Sequence, residues 1–501
     1  MITEQPTDVH GRPYARWPLF ITLLLATLAG SLMQSTLGTA LPTLMDKFDI
    51  NLNTAQQATT WFLLAMAVVI PVSAFLIKRI PTKRLTIGIF TVLAVGIAIS
   101  AFTPEKHSMW WLFLVGRVVA ALAAGLMMAL LQIIILNIFS SKERSVAMGL
   151  FGLVVGMSPA IGPILTGWIL DKKHHLLGLT IPAHWQVIFY IPLIVVVACL
   201  VIMPFVMRDV IETEDDLKLD WWSFILSCFG FGTFLLGFTN FATDGWDDFT
   251  NVDLPILIGV VLITIFVRRQ LKLEKPFLDV RVFKNWGFSV ATVGMIMATM
   301  AMMGVEIMLP TYLQNVHGMS TLDSGLTLLP GALLMGVLSP IAGALYAKAG
   351  AKRLALGGFT VLAAGTLPFA FLSATTPAVI ITTMYGLRMA GIAMVLMPLV
   401  TAAMDSLPTK YATDGTAVSN TTRQLASSVG VALLTSITQN VITNNKPGHA
   451  LKTQNPLLYA DKVINASMDG FKTAFAVGLA FAVIGLVVML FFKSKAKKEV
   501  A

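Results

Sequence analysis

The chain is poor in charge. Asp, Glu, Lys and Arg make up only 12% of its 501 residues, against 56% hydrophobic ones. An ordinary soluble domain carries about twice that charged share, so no sizeable part of the chain reads as a water-soluble fold. Cysteine is equally scarce. Cys199 and Cys228 both sit in apolar runs, which gives neither a disulfide framework nor a metal cluster. There is no phosphate-cradling glycine loop, no Ser/His/Asp arrangement and no zinc-ligand spacing. The expectation is therefore a non-enzyme with no cofactor, no metal and no ATP drive of its own. A removable leader is also lacking. The first apolar run follows a 17-residue polar head without a small-residue cleavage site, so it reads as an anchor.

What is present is long apolar sequence. Mean hydropathy is +0.79. Fourteen stretches have the length of about 20 residues that a hydrocarbon core requires. They begin near Leu19, Thr59, Leu85, Met109, Ala147, Val187, Trp222, Val252, Phe288, Gly325, Leu354, Ala378, Gly415 and Phe471. These runs are too long and too uniformly apolar for barrel strands. They are read as helices, which satisfy their own backbone in lipid. Charge checks the count. With the N-terminus inside, inner segments hold 24 of the 35 Lys and Arg, outer loops 8, and only Arg117, Arg388 and Arg423 fall inside spans. That bias obeys the positive-inside rule. Span 13, GTAVSNTTRQLASSVGVALL, is rather polar, but without it the basic tail Lys493, Lys495, Lys497, Lys498 would lie outside. The expectation is a multi-pass plasma membrane protein with both termini cytoplasmic. Its net charge of +9 then reflects loops facing an anionic leaflet, and no nucleic-acid partner is expected.

The chain repeats itself weakly. Ala-Leu-Pro-Thr at 40–43 recurs as Met-Leu-Pro-Thr at 308–311, KRIPTKRL at 78–85 as AKAGAKRL at 347–354, and Arg117 as Arg388. The offsets of 268, 269 and 271 argue for two homologous six-helix halves in the same orientation. The expected domains are 1–207, a linker of 208–285 with two inserted helices, and 286–501. The acidic link RDVIETEDDLKLDWW is read as a solvated connector. Asp244, Asp247, Asp248 and Asp253 crowd one outer loop, and His174, His175 and His184 share another. Both are read as solvated loops, and the long outer segment 442–470 as a mobile loop.

Span 5 carries the densest motif, GLFGLVVGMSPAIGPILTGW at 149–168. Gly152, Gly156, Gly162 and Gly167 let another backbone approach, and Pro159 and Pro163 bend the helix. This pattern resembles the antiporter motif of the major facilitator superfamily. LMQSTLGTALPTL (32–44), FLVGRVVAALAAGLMMAL (113–130), SSKERSVAMGL (140–150) and the span-13 sequence resemble signatures of its 14-span drug:proton antiporter group. AFLIKRIPTKR (74–84) and GALYAKAGAKR (343–353) resemble the superfamily's two loop motifs. The resemblance implies an all-α fold of two six-helix bundles plus two inserted helices. It also implies multidrug efflux by alternating access, driven by the proton gradient. The partners it implies are the bilayer, small amphipathic substrates and protons, with the protein a monomer. Alternatives are export of a specific metabolite, lipid-like molecule or signalling nucleotide, and a transporter-like sensor without turnover.

Some positions depart from the family pattern. The group's span-1 Asp falls at Met33, so that acid's role cannot be carried over. The acid of the first loop motif falls at Lys78 and its glycine at Pro81, and the second loop's acid falls at Ala347. The usual charge pairing of that loop is therefore in question. Lys78, Arg79, Lys83, Arg84, Gly343 and Gly350 remain the candidate loop-motif residues. Glu306 in span 9 is the acid lying well inside an apolar span, about 27 Å along it at 1.5 Å per residue. Intramembrane acids default to function, so Glu306 is the candidate proton carrier, with a structurally paired acid as the alternative. Arg117 cannot discharge, and either tunes that carrier or ties down backbone carbonyls. Arg388 and Arg423 are expected to snorkel toward helix ends. The candidate cavity residues are Met33, Gln34, Gln132, Met302, Tyr312, Asn420 and Arg423.

Overall fold

The computed structural model describes residues 6–176, 179–214, 216–217, 219–244 and 248–492. It is helical almost throughout, because each crossing segment must close its backbone hydrogen bonds on itself. The helices are α1 (Arg16–Ser35), α2 (Leu37–Phe48), α3 (Leu52–Arg79), α4 (Thr82–Ala101), α5 (Trp110–Ile138), α6 (Ser141–Asp171), α7 (Val187–Val206) and α8 (Trp221–Asp244). There follow α9 (Leu254–Lys272), α10 (Trp286–Asn315), α11 (Thr321–Ala349), α12 (Ala351–Thr366), α13 (Ala378–Asp405), α14 (Ala412–Asn445), α15 (His449–Gln454) and α16 (Pro456–Leu490). Among the described residues thirteen spans are long and apolar enough to cross a membrane, and α6 makes a fourteenth as a span bent by 43° between Glu143–Ser158 and Ile161–Asp171. The fourteen apolar runs read from the sequence thus correspond to α1, α3 to α14 and α16.

The chain forms two compact units. The first comprises Met1–Phe234, Ile258–Val280 and Thr409–Thr421, the second Leu235–Leu257, Arg281–Pro408 and Thr422–Ala501. In the first, α5 packs between α4 and α3, and α1 lies on α6 and α7. One end is closed by aromatic rings: Phe48, Trp110, Phe113, Trp185 and Phe189 lie with centroids 5.0–5.9 Å apart. The Trp185 indole donates to Glu105 Oε1 at 2.9 Å. Burial works against the Glu105 charge, yet Gln186, Trp185 and Lys47 hold its carboxyl below the usual range. In the second unit α13 packs against α11, α12 and α10, and α16 against α10 and α12.

The acidic link entering α8 is a connector whose Glu212, Glu214 and Asp216 are exposed, as the solvated reading expects, and it is tethered at a few points. Asp209 Oδ1 accepts from the Lys83 amide at 2.8 Å, and its carbonyl accepts from the Val9 amide at 2.9 Å. The Glu214 amide donates to the Lys78 carbonyl at 2.8 Å. Asp220 receives the Arg269 guanidinium at 2.8 and 3.0 Å, which keeps the Asp220 carboxyl below its ordinary range. Asp209 and Asp220 find fixed partners because the helix ends they border present an amide and an arginine.

The segment 442–470 is also corrected. It is helical except at Lys446–Gly448 and Asn455: α14 runs on to Asn445, α15 follows, and α16 starts at Pro456. Asn455 caps α16 by accepting from the Leu458 amide at 3.0 Å, and Pro456 takes the first turn, where no donor is needed. The segment's polar residues sit mostly on helix and do not mark where the helices end. The His-bearing loop holds a short hairpin, His174–Leu176 against Leu179–Ile181. Asp248 caps the turn before α9 by accepting from the Asn251 amide, while Asp247 lies outside the described residues.

The two repeated loop motifs solve one tight connection in opposite ways. Between α3 and α4 the turn residue is Pro81, at φ −50°. Between α11 and α12 it is Gly350, at φ +78°, a left-handed conformation that favours glycine. A side chain there would meet open space, so its cost is backbone strain alone. Gly350→Val should destabilise the protein by about 1–3 kcal/mol, read as a lowered thermal midpoint in detergent. An unchanged midpoint would contradict this account of the turn.

Candidate functional site

The first unit is organised around the break between α1 and α2. Helix α1 stops at Ser35 and helix resumes at Leu37. Arg117 of α5, 1% exposed, reaches this region. Its Nη1 donates to the Met33 carbonyl at 2.7 Å and its Nε to the Ala58 carbonyl at 3.4 Å. The guanidinium also lies 4.2 Å from the centroid of the Phe62 ring. It therefore fastens α5 to α1 and α3, and one of its nitrogens, Nη2, is buried without a partner. The Met33 side chain is fully buried and Gln34 is half-buried.

The α6 motif packs onto the same break. Gly152, Gly156 and Gly162 are buried, and Pro163 and Gly167 are half-buried. A Cβ on Gly162 would overlap the Ser35 side chain. Ser35 Oγ donates to the Ser158 carbonyl at 2.8 Å, and Thr166 Oγ1 to the Thr36 carbonyl at 3.1 Å. Pro163 lacks the amide that would bond back into the preceding turn, which accounts for the bend at this place. The side chain of Pro159 lies outside the described residues.

Two further clusters use the first turns of α14. Asn420 donates to Gln132 Oε1 at 2.8 Å, while Gln132 Nε2 is buried without a partner. These two proposed cavity residues are thus brought together. The second cluster answers the question about the loop motif. Lys78 Nζ meets Asp414 Oδ2 at 2.5 Å, with Lys78 16% and Asp414 2% exposed. Asp414 Oδ1 also accepts from the Asp279 amide at 3.1 Å. The loop does carry a charge pair, with the cation where the family pattern has its acid. Lys83 caps the α7 end through the Pro204 carbonyl at 2.6 Å. Arg79 ends α3 and Arg84 lies in the first turn of α4, and Gly343 is buried in α11.

In the second unit Arg388 of α13 is fully buried, so the snorkelling reading is wrong for it. Its Nη2 donates to the carbonyls of Ala301 and Met302 on α10. Ala301 lies 268 residues after Met33, so the two arginines hold equivalent carbonyls in the two halves. Glu306 stands just beyond that carbonyl pair on α10. Its Oε2 is buried and unpartnered, as are Arg388 Nε and Nη1. Arg388 and the buried Tyr385 both interact with it electrostatically. Met302 is buried, and Arg423 is half-buried on α14. Tyr312 is engaged elsewhere: its hydroxyl meets His317 Nε2 at 2.9 Å and donates to the Ser373 carbonyl at 2.8 Å. Sequence reasoning did not single out Asp414 or Tyr385. The repeat offset marks Arg388 as the twin of Arg117, and an acid at a helix start suits the dipole, but nothing local marks Tyr385.

Residues 23–431 match the Major Facilitator Superfamily. The chain is 36% identical over 487 residues to the uncharacterized MFS-type transporter YcnB of Bacillus subtilis (strain 168), covering 97% of each chain. It is 34% identical over 497 residues to the lincomycin resistance protein LmrB of the same organism, covering 98% of this chain and 99% of the relative. Among solved structures, the human organic anion transporter MFSD10 (TETRAN) matches with a TM-score of 0.59 at 14% identity, over 93% of this chain and 99% of that one.

Breaking the Lys78–Asp414 pair should be costly, because the remaining charge is left buried and uncompensated. Lys78→Met or Asp414→Leu alone is expected to lose about 3–5 kcal/mol, measured as the fraction of folded protein recovered in detergent and its thermal midpoint. Lys78→Asp combined with Asp414→Lys should recover most of that loss. A swap no better than the single changes would show that the surroundings, not the pairing, set the stability.

Proposed function

Because the chain belongs to the Major Facilitator Superfamily, we propose that it exports amphipathic, toxic compounds in exchange for protons, as a multidrug efflux antiporter. The observation that carries the reading is Glu306, a carboxyl inside a crossing helix with one oxygen buried and unbonded. A charged residue at the bilayer centre costs roughly 2.5–3.5 kcal/mol by insertion scales, and structural packing gives no return for that. The relation to a lincomycin resistance protein supports a role in drug export.

In this reading two six-helix bundles, within 1–207 and 286–501, alternate access to a cavity lined by spans 1, 4, 5, 9, 12 and 13. The pair of helices in 208–285 is an insertion between them. A proton from outside neutralises Glu306 and favours release of a cationic cargo. Loss of that proton on the inside favours rebinding. The proton gradient thus biases two states through their differential affinity. No bound cofactor enters the cycle. In this reading both termini lie in the cytoplasm of a plasma membrane protein acting as a monomer, and the excess of Lys and Arg in the inner loops supports that orientation. In the same reading Ser158, Gly162 and Thr166 of α6, with Arg117, form the joint at the α1–α2 break.

A second reading rests on the Gln132–Asn420 pair. A buried amide donor without a partner suits a cargo with a matching acceptor, because an unmet buried donor costs about 1–3 kcal/mol. It favours a specific metabolite over a broad class of drugs. Competition between dyes and candidate metabolites for efflux separates the two readings.

Glu306→Gln is the direct test. In everted vesicles it should slow proton-driven ethidium efflux at least about tenfold and flatten its pH dependence, with the protein still present in the membrane. Transport with unchanged rate and pH profile would remove Glu306 from the cycle.

A further inference from the structure

Arg388 is the buried cation nearest in kind to what Glu306 needs, and it resides in the same unit. We propose that Arg388 is the positioning residue for Glu306, so that proton coupling is confined to the α10–α13 pair of the second unit while Arg117 serves as a structural tie. The proposal rests on the reading of Glu306 as the proton carrier and adds the group that governs it.

The argument begins with the comparison of the two arginines. Each holds the repeat-equivalent carbonyl on the first helix of its half, Met33 for Arg117 and Ala301 for Arg388. Arg117 has two carbonyls and a ring face to stabilise it. Arg388 spends one nitrogen, Nη2, on the adjacent carbonyls of Ala301 and Met302. Its Nε and Nη1 are left buried and unpartnered. A guanidinium cannot discharge, and Arg388 keeps two such donors where Arg117 keeps one, so a negative charge near Arg388 is favoured. Glu306 offers one. Its buried oxygen is orphaned on the helix that Arg388 already grips, four residues beyond Met302.

The fork fixes Arg388 to α10 through backbone, which side-chain changes in α10 do not alter. When Glu306 is ionised, the free donors and the carboxylate attract one another. When it is protonated, the guanidinium stands unneutralised in the site and repels a cationic cargo. That sign agrees with proton entry driving release.

Other charged groups on the surrounding helices are placed less well. Tyr385, one turn before Arg388 on α13, also interacts with Glu306. On α16, Phe471 packs on Tyr312 and Gly478 on Val305, so Asp469 and Lys472 lie toward the Tyr312 end. On α14, Leu434 packs on Gly304 and Gly430 on Met300. That sets Arg423 some 20 Å further down the helix pair at about 1.5 Å per residue. Asp323 and Lys348 sit at the two ends of α11.

The test uses ethidium efflux in everted vesicles from cells carrying the full chain, with rates normalised to membrane abundance. Arg388→Gln should move the half-maximal point of the pH profile about one unit higher, tenfold in proton concentration. The reason is that a carboxyl deprived of its cation holds its proton more tightly. Arg388→Lys, which keeps the charge and loses the fork, should retain the profile. In a Glu306→Gln background, Arg388→Gln should cause no further shift. Lowered rates with an unmoved profile in both single variants would overturn the proposal and leave Arg388 a structural tie. Should Arg388→Gln fail to reach the membrane, the double variant decides. Its recovery supports a charge partnership, and its absence shows that the carbonyl tie was the need. If Glu306→Gln itself leaves coupling intact, the carrier reading fails first, and that outcome is separate from these.

Discussion

An arginine locked in oil must bond to something that never leaves, and a backbone carbonyl is the most dependable choice. The fold uses this twice. Arg117 and Arg388 each bind the carbonyl of the residue that the internal repeat makes equivalent, Met33 and Ala301. The ties hold the fourth helix of each half against the first. Around Arg117 the tie secures a helix break, onto which α6 folds through Ser35, Thr36 and Gly162. Around Arg388 it leaves donors unused beside an acid. One inherited device has thus become a fastening in one half and the surroundings of a titratable group in the other.

Much of the architecture was legible because lipid imposes a coarse code. Apolar run length fixes the spans, and each run read from the sequence became a crossing helix. The superfamily motifs were legible for the same reason that they exist: close helix approach demands glycine, as at Gly162, and a helix bend needs proline. The repeat was readable from three short matches, and the arginine–carbonyl geometry repeats with the same spacing.

What the sequence hid was pairing. Lys78 looked like the loss of an acid, because its partner Asp414 lies 336 residues away and no local pattern links them. Arg388 looked like a residue that could reach an interface, because linear position says nothing of which side of a helix is buried. Polarity also misled. The Asn- and Lys-rich segment after α14 suggested loop, yet hydrophilic residues on a helix outside lipid cost nothing. The same bias concealed the two tethers of the acidic link, Asp209 on the Lys83 amide and Asp220 on the Arg269 guanidinium.

That outer segment has a practical side. Helices α14, α15 and α16 follow one another closely, and the longest interruption of helix between them is Lys446–Gly448. Exposed breaks of this kind are where insertions are tolerated. An epitope placed there would sit at the tip of a stiff stalk, whereas one placed a few residues later would have to unwind the start of α16 and its Asn455 cap. A reporter for which face of the membrane this stalk occupies therefore has one natural point of attachment.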